Sequence, residues 1–273
     1  MKVFKKLQAR FRYSAILLRQ LVVTDFKLRY QGSILGYSWS LLRPLLMFVI
    51  LYIVFVVAFP LGKGVPHFPV YLFTGIVVWN FFTEMTQQSL TSVVARGDLI
   101  RKIRIPRWII VFSSSIGALI NLGLNLIVLA IFMAINHVDI MRSVALLPFL
   151  LFEVYVFGLG ISLFLAAAFV KYRDIRYIWE VVIQAGFYFT PILYPLNGKI
   201  SLVFQKIILV NPLAQALQDI RYCVISHDPA VVTIHKVFNG GWHMLIPYII
   251  TIFILFLGLV YFKSQANSFA ENL

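Results

Sequence analysis

The chain has 273 residues, 61% of them hydrophobic and 12% charged, and a mean hydropathy of +0.89; soluble domains run nearer about half apolar and about a quarter charged, which excludes an ordinary soluble fold and points to a polytopic helical membrane protein. The net charge of +14 would suggest nucleic acid in a soluble chain, but here the placement of the charges accounts for it. The one cysteine, Cys223, excludes an intrachain disulfide and a multi-cysteine metal site, and the basic N-terminus is not followed by the apolar run of a cleaved signal peptide.

In chain order, residues 1–37 form a basic tail and an amphipathic segment in which Leu17, Leu18, Leu21, Val22, Phe26 and Leu28 interleave with Arg19, Asp25, Lys27 and Arg29. Such a helix lies in the membrane interface, apolar side in lipid and charged side in water; the plainer reading is a basic flank that only sets orientation. It runs into the first of six expected spans, at 38–59, 68–91, 108–135, 144–170, 178–194 and 244–262. At about 1.5 Å per residue each crosses a hydrocarbon core of about 30 Å, the fifth only barely.

Lys63, Arg142, Lys199, Lys206, Arg221 and Lys236 fall on one side of these spans and the other 18 of the 24 basic residues on the opposite side, which places both termini in the cytoplasm. Of the outer connections, 60–67 and 136–143 are short. The third, 195–243, contains two apolar stretches, 203–210 and 213–225, separated by Asn211-Pro212; they read as short re-entrant helices, with the proline suited to a helix start.

Polar residues inside the spans share faces. Asn80, Glu84, Gln87, Gln88 and Thr91 line one side of the second span, Ser114, Gly117, Asn121 and Asn125 one side of the third, and Tyr177, Glu180, Gln184, Tyr188 and Pro191 one side of the fifth. Polar groups are costly in hydrocarbon, so these faces point to other helices or to water. Trp39, Trp79, Phe82, Tyr188 and Tyr194 lie on or near the spans. Each suits an interfacial belt, the core, or a conduit in which rings stack against sugars.

The loop at 93–107, VVARGDLIRKIRIPR, holds a short amphipathic helix: Asp98 suits its N-cap, Leu99, Ile100 and Ile103 make an apolar face, Arg101, Lys102 and Arg104 a basic one, and Pro106 stops it. It reads as a docking knob for a soluble partner or as a plain positive-inside loop. No phosphate-binding loop, zinc-protease motif or nucleophile elbow occurs. His67, His137, His227, His235 and His243 are too scattered for a metal site, so any engine lies in another chain or in an ion gradient.

This order of parts resembles the transmembrane subunit of type-2 ABC exporters, in the polysaccharide and polyol-phosphate branch. The resemblance covers about 14–263 and is carried by DFKLRYQGSILGYSWSLLRP, GDLIRKIRIPR, KYRDIRYIW, FYFTPILYP and NPLAQALQDIR. It implies a permease that moves a lipid-linked polysaccharide of the O-antigen, capsule, galactan or teichoic acid type across the bacterial cytoplasmic membrane. It also implies a homodimer and two copies of a separate cytoplasmic ATPase that binds ATP and Mg. The chain itself would hold no cofactor and no metal, would not be an enzyme, and would bind no nucleic acid.

Carried over, Asp98, Leu99, Ile100, Arg101, Lys102, Ile103 and Arg104 would couple to the ATPase. Lys27, Arg29 and Tyr30 would meet the substrate headgroup, and Trp39, Trp79, Phe82, Glu84, Tyr188 and Tyr194 would line the conduit. The alternatives are an exporter of small hydrophobic molecules and a gradient-driven transporter; a membrane-embedded transferase is disfavoured because the ten acidic residues form no cluster.

Overall fold

A computed structural model describes residues 2–29, 32–59, 64–102, 106–139, 141–196, 200–225, 231–266 and 269. All regular structure among them is helical. The elements are α1 (Lys2–Arg29), α2 (Trp39–Tyr52), α3 (Phe68–Ala95), α4 (Gly97–Lys102), α5 (Trp108–Ile135), α6 (Leu147–Lys171), α7 (Ile175–Phe189), α8 (Leu202–Val210), α9 (Pro212–Val224), α10 (Ile234–Phe238) and α11 (Ile246–Gln265). Short 3-10 turns lead into α2, α6 and α11, and α2 continues into a π-helical stretch, Ile53–Ala58.

α3 is the axis of the bundle, packed by α2, α5, α6, α7 and α9. Its Val70, Tyr71, Leu72, Met85 and Val93 are fully buried. α6 and α11 cross at a pair of glycines. A Cβ on Gly160 would stand 2.7 Å from the backbone of Leu255, and one on Gly258 would strike the Gly160 carbonyl, so only glycine permits this approach.

The chain is a multi-pass membrane protein. Among the described residues four helical stretches, Gly36–Ala58, Trp108–Ile135, Arg142–Lys171 and Trp242–Gln265, are long and apolar enough to cross a bilayer. The other two expected spans differ for physical reasons. α3 has 28 residues, about 42 Å, but carries the polar face. α7 has 15 residues, about 22 Å, and ends at Phe189, earlier than expected, because Pro191 has no N–H to continue the ladder.

The connection between α7 and α11 folds as its punctuation suggests. The Asn211 side chain accepts from the Leu213 amide at 3.0 Å and Pro212 takes the first turn of α9. Ser201 caps α8 in the same way.

Candidate functional site

The polar face of α3 meets that of α5. Asn80, Glu84, Gln87 and Gln88 from α3, Asn121 and Asn125 from α5, and Trp39, Ser40, Arg43 and Pro44 from α2 line a cavity of about 550 Å³. Glu84 holds the wall: it accepts from the Asn121 amide, and from the Gln88 amide at 2.7 Å. Asn125 donates to the Asn121 carbonyl at 2.8 Å and to the Ser40 carbonyl at 3.5 Å. The Oδ1 atoms of Asn121 and Asn125 and the Thr83 hydroxyl are buried without a partner among the described residues, so the wall keeps unused hydrogen-bonding capacity. The lining combines amides, one carboxylate, one guanidinium and an indole with the apolar side chains of Pro44, Val77, Phe81 and Leu122, so it offers hydrogen-bond partners for hydroxyls beside apolar surface.

A second polar junction ties the amphipathic helix to the loop after α3. Arg96 forms an ion pair with Asp25 of α1 and donates to the Ser113 hydroxyl at 3.0 Å. α4 follows directly. Asp98 lies inside its first turn rather than at the cap. Ile100 is buried in the main core and Leu99 half-buried, while Asp98, Arg101 and Lys102 are exposed. Ile103, Arg104 and Tyr30 lie outside the described residues; Arg29 closes α1, and Lys27 is exposed near that end.

Of the aromatic candidates only Trp39 lines the cavity, as does Glu84. Trp79 and Phe82 are buried on another side of α3, where Trp79 meets Phe187 edge-on at 5.8 Å and Phe82 stacks on Phe157 at 5.8 Å. Tyr188 is 68% exposed, and the Tyr194 hydroxyl donates to the Phe189 carbonyl at 3.1 Å. α7 is held through the Trp179 indole, which donates to Thr86 at 3.2 Å, and through Ile183, its one buried residue among those described. Phe187 and Gly186 also pack against Trp79, while Tyr177, Ile178, Val181, Val182 and Tyr188 of α7 are exposed.

Sequence reasoning missed three things here. Ser40, Arg43 and Pro44 join the cavity; of these, Arg43 alone carried a signal, one turn on from Trp39. Arg96 pairs with Asp25 across 71 residues, which left no local signal. Arg221, counted as an outer charge, is fully buried: it donates to the carbonyls of Tyr71 (3.1 Å), Ile192 (2.9 Å) and Pro191 and to Gln218 Oε1 (3.2 Å), with its guanidinium 3.5 Å over the Tyr71 ring. Burial pulls Arg221 down to about 10, with Tyr71 opposing, so it stays charged at neutral pH.

Residues 16–225 match the family model described as ABC-2 type transporter. The chain is 29% identical over 273 residues to an O-antigen export system permease protein RfbA of Klebsiella pneumoniae, an alignment covering 98% of this chain and 99% of that protein. It is 28% identical over 219 residues to the protein of the same name from Myxococcus xanthus, covering 80% and 83%. It is 21% identical to the polysialic acid transport protein KpsM of Escherichia coli, covering 94% and 96%.

Proposed function

The chain belongs to the ABC-2 type transporter family, and from that premise we propose that it is the permease subunit of an ATP-driven exporter that moves a lipid-linked polysaccharide across the bacterial cytoplasmic membrane. The observation that carries this reading is the cavity between α2, α3 and α5. A cleft among membrane helices that offers amides, a carboxylate and a guanidinium beside an indole suits the hydroxyls and C–H faces of a glycan. The names of the relatives, O-antigen export permeases and a polysialic acid transporter, point the same way.

In this reading α3 and α7 are the second and fifth of six spans, both termini are cytoplasmic, and α8 to α10 form the re-entrant outer region. α3 crosses the membrane shielded by its neighbours, which is how a polar face is tolerated there. The uncovered side of α7 packs against a second copy, and the glycan passes between the two subunits. A separate cytoplasmic ATPase, two copies binding ATP and Mg, docks on α4. Its strokes reach α1 through Arg96 and Asp25 and reach α3 directly. Lys27 and Arg29, with Tyr30 after them, meet the phosphate of the lipid carrier at the inner interface. The glycan follows a path on which Trp39 and Glu84 stand first and Tyr188 and Tyr194 lie toward α7, with the buried Trp79 and Phe82 backing that side from the core.

The test is a pull-down of the detergent-solubilised protein from its native membrane, followed by an ATPase assay with and without the lipid-linked glycan. An ATPase that co-purifies and is stimulated by the glycan supports the reading. A chain that purifies with no nucleotide-hydrolysing partner overturns it.

A further inference from the structure

Away from the cleft, oxygen-bearing side chains from α6, α9 and α11 meet in the interior. Glu153 of α6 is 6% exposed, and neither of its carboxylate oxygens has a hydrogen-bond partner among the described residues. Gln215 of α9 is fully buried; its Nε2 donates to Asp219 Oδ2 at 2.6 Å and to the Tyr248 phenol, on α11, at 3.1 Å, while its Oε1 finds no donor. Glu153 lies within electrostatic range of Asp219 and beside the Gln215 amide. Thr251, one turn beyond Tyr248 on α11, also buries an unpartnered hydroxyl.

The hydrogen inventory does not close at Glu153, whose two oxygens are the ones left over. Two carboxylates present four acceptor oxygens, and the side chains bonded around them supply two amide hydrogens and one phenol hydrogen. Beyond these, the Ile234 amide and the His235 side chain act on Asp219 alone. Neither carboxylate has a lysine or arginine ion-pair partner among the described residues. A buried carboxylate left in this state costs several kcal/mol and is neutralised, by a proton or by a cation.

We propose that Glu153, Asp219, Gln215 and Tyr248 bind a hard divalent cation of the calcium kind, which ties α9 to α6 and α11. The donor set is oxygen throughout and comes from three helices. Its two carboxylates match one divalent charge, and water completes the shell of an ion that accepts irregular oxygen geometry. Asp219 and Tyr248 are only partly buried, which leaves a way in. The site stands independently of the export reading.

Terbium luminescence tests it on the intact, EDTA-treated chain in detergent, because Tb³⁺ replaces Ca²⁺ and a tyrosine in the shell sensitises its emission. Saturable emission that Ca²⁺ displaces is expected, with a rise of a few degrees in Tm on adding millimolar CaCl2. Glu153→Gln, nearly isosteric, abolishes both effects, as does Asp219→Asn at the partly open rim should the first variant fold poorly. Glu84→Gln, in the separate cleft, leaves both intact. Emission and Tm shift unchanged in Glu153→Gln or Asp219→Asn would overturn the site. So would a Tm that follows pH and ignores Ca²⁺, which marks a carboxylate pair sharing a proton instead.

Discussion

The side-chain amide of Asn125 reaches the carbonyl of Ser40 at 3.5 Å, and this is the carbonyl that Pro44, four residues on, cannot serve because it has no N–H. The proline thus opens one rung of α2, and α5 partly closes it from the side. A polar side chain in the membrane interior and a proline in a spanning helix account for each other, and together they fix where α2 borders the cavity.

A double-mutant cycle follows. Asn125→Ala is expected to cost about 1 kcal/mol in the native background and less when Pro44→Ala has restored the helical donor to Ser40. SDS-titrated unfolding of the four proteins in mixed micelles measures this. Equal costs in both backgrounds would mean that Asn125 and Ser40 are neighbours without coupling.

Glu84 is the acceptor shared by Asn121 and Gln88. Glu84→Ala leaves both amides without their acceptor and is expected to cost roughly 2 kcal/mol, and Glu84→Gln, which keeps one acceptor oxygen, distinctly less. If thermal unfolding ranks the two variants equally, Glu84 does not hold the wall through these bonds.

The faces that build this wall were legible in the sequence. Asn80, Glu84 and Gln88, like Asn121 and Asn125, recur one turn apart in otherwise apolar helices, and hydrocarbon forces such a stripe inward. The helices around α3 were legible for the same reason, since apolar runs bounded by proline, glycine and charge leave few choices. The pairings were not. Asp25 and Arg96 stand 71 residues apart, and Arg221 and the Tyr71 carbonyl 150 apart, and no local period records contacts made by topology. The 93–107 loop reads from sequence as a docking knob or a positive-inside loop, with no sign of what its apolar face meets, whereas Ile100 is a member of the core.

That burial changes how the docking surface is tested. Arg101→Glu combined with Lys102→Glu alters exposed positions only and should shift stability by no more than about 0.5 kcal/mol, while recovery of the ATPase in a pull-down falls at least about tenfold. Ile100→Asp instead buries a charge and should cost roughly 3 kcal/mol or more, seen as loss of folded protein before any question of docking arises. Full ATPase recovery with the charge-reversed pair would remove α4 as the docking element.

Arg221 joins α9 to α3 and to the end of α7, and Gly75 makes room for it. A Cβ at Gly75 would stand 2.5 Å from Arg221 Nη2 and 3.2 Å from Ile192 Cγ2, so Gly75→Ala must displace the guanidinium and should cost roughly 1–3 kcal/mol. Arg221→Lys keeps the charge but offers one nitrogen in place of a planar fork. It cannot serve the carbonyls of Tyr71, Pro191 and Ile192 together, and a cost of at least about 2 kcal/mol is expected. The two changes act on one contact and so should not add. In an Arg221→Met background the added methyl meets a pliable thioether instead of a fixed guanidinium, and the cost of Gly75→Ala should fall by at least half. Thermal unfolding of the single and double variants decides it. An undiminished cost in the Arg221→Met background would show that the strain comes from Ile192, and that the glycine serves the backbone of the turn rather than the buried arginine.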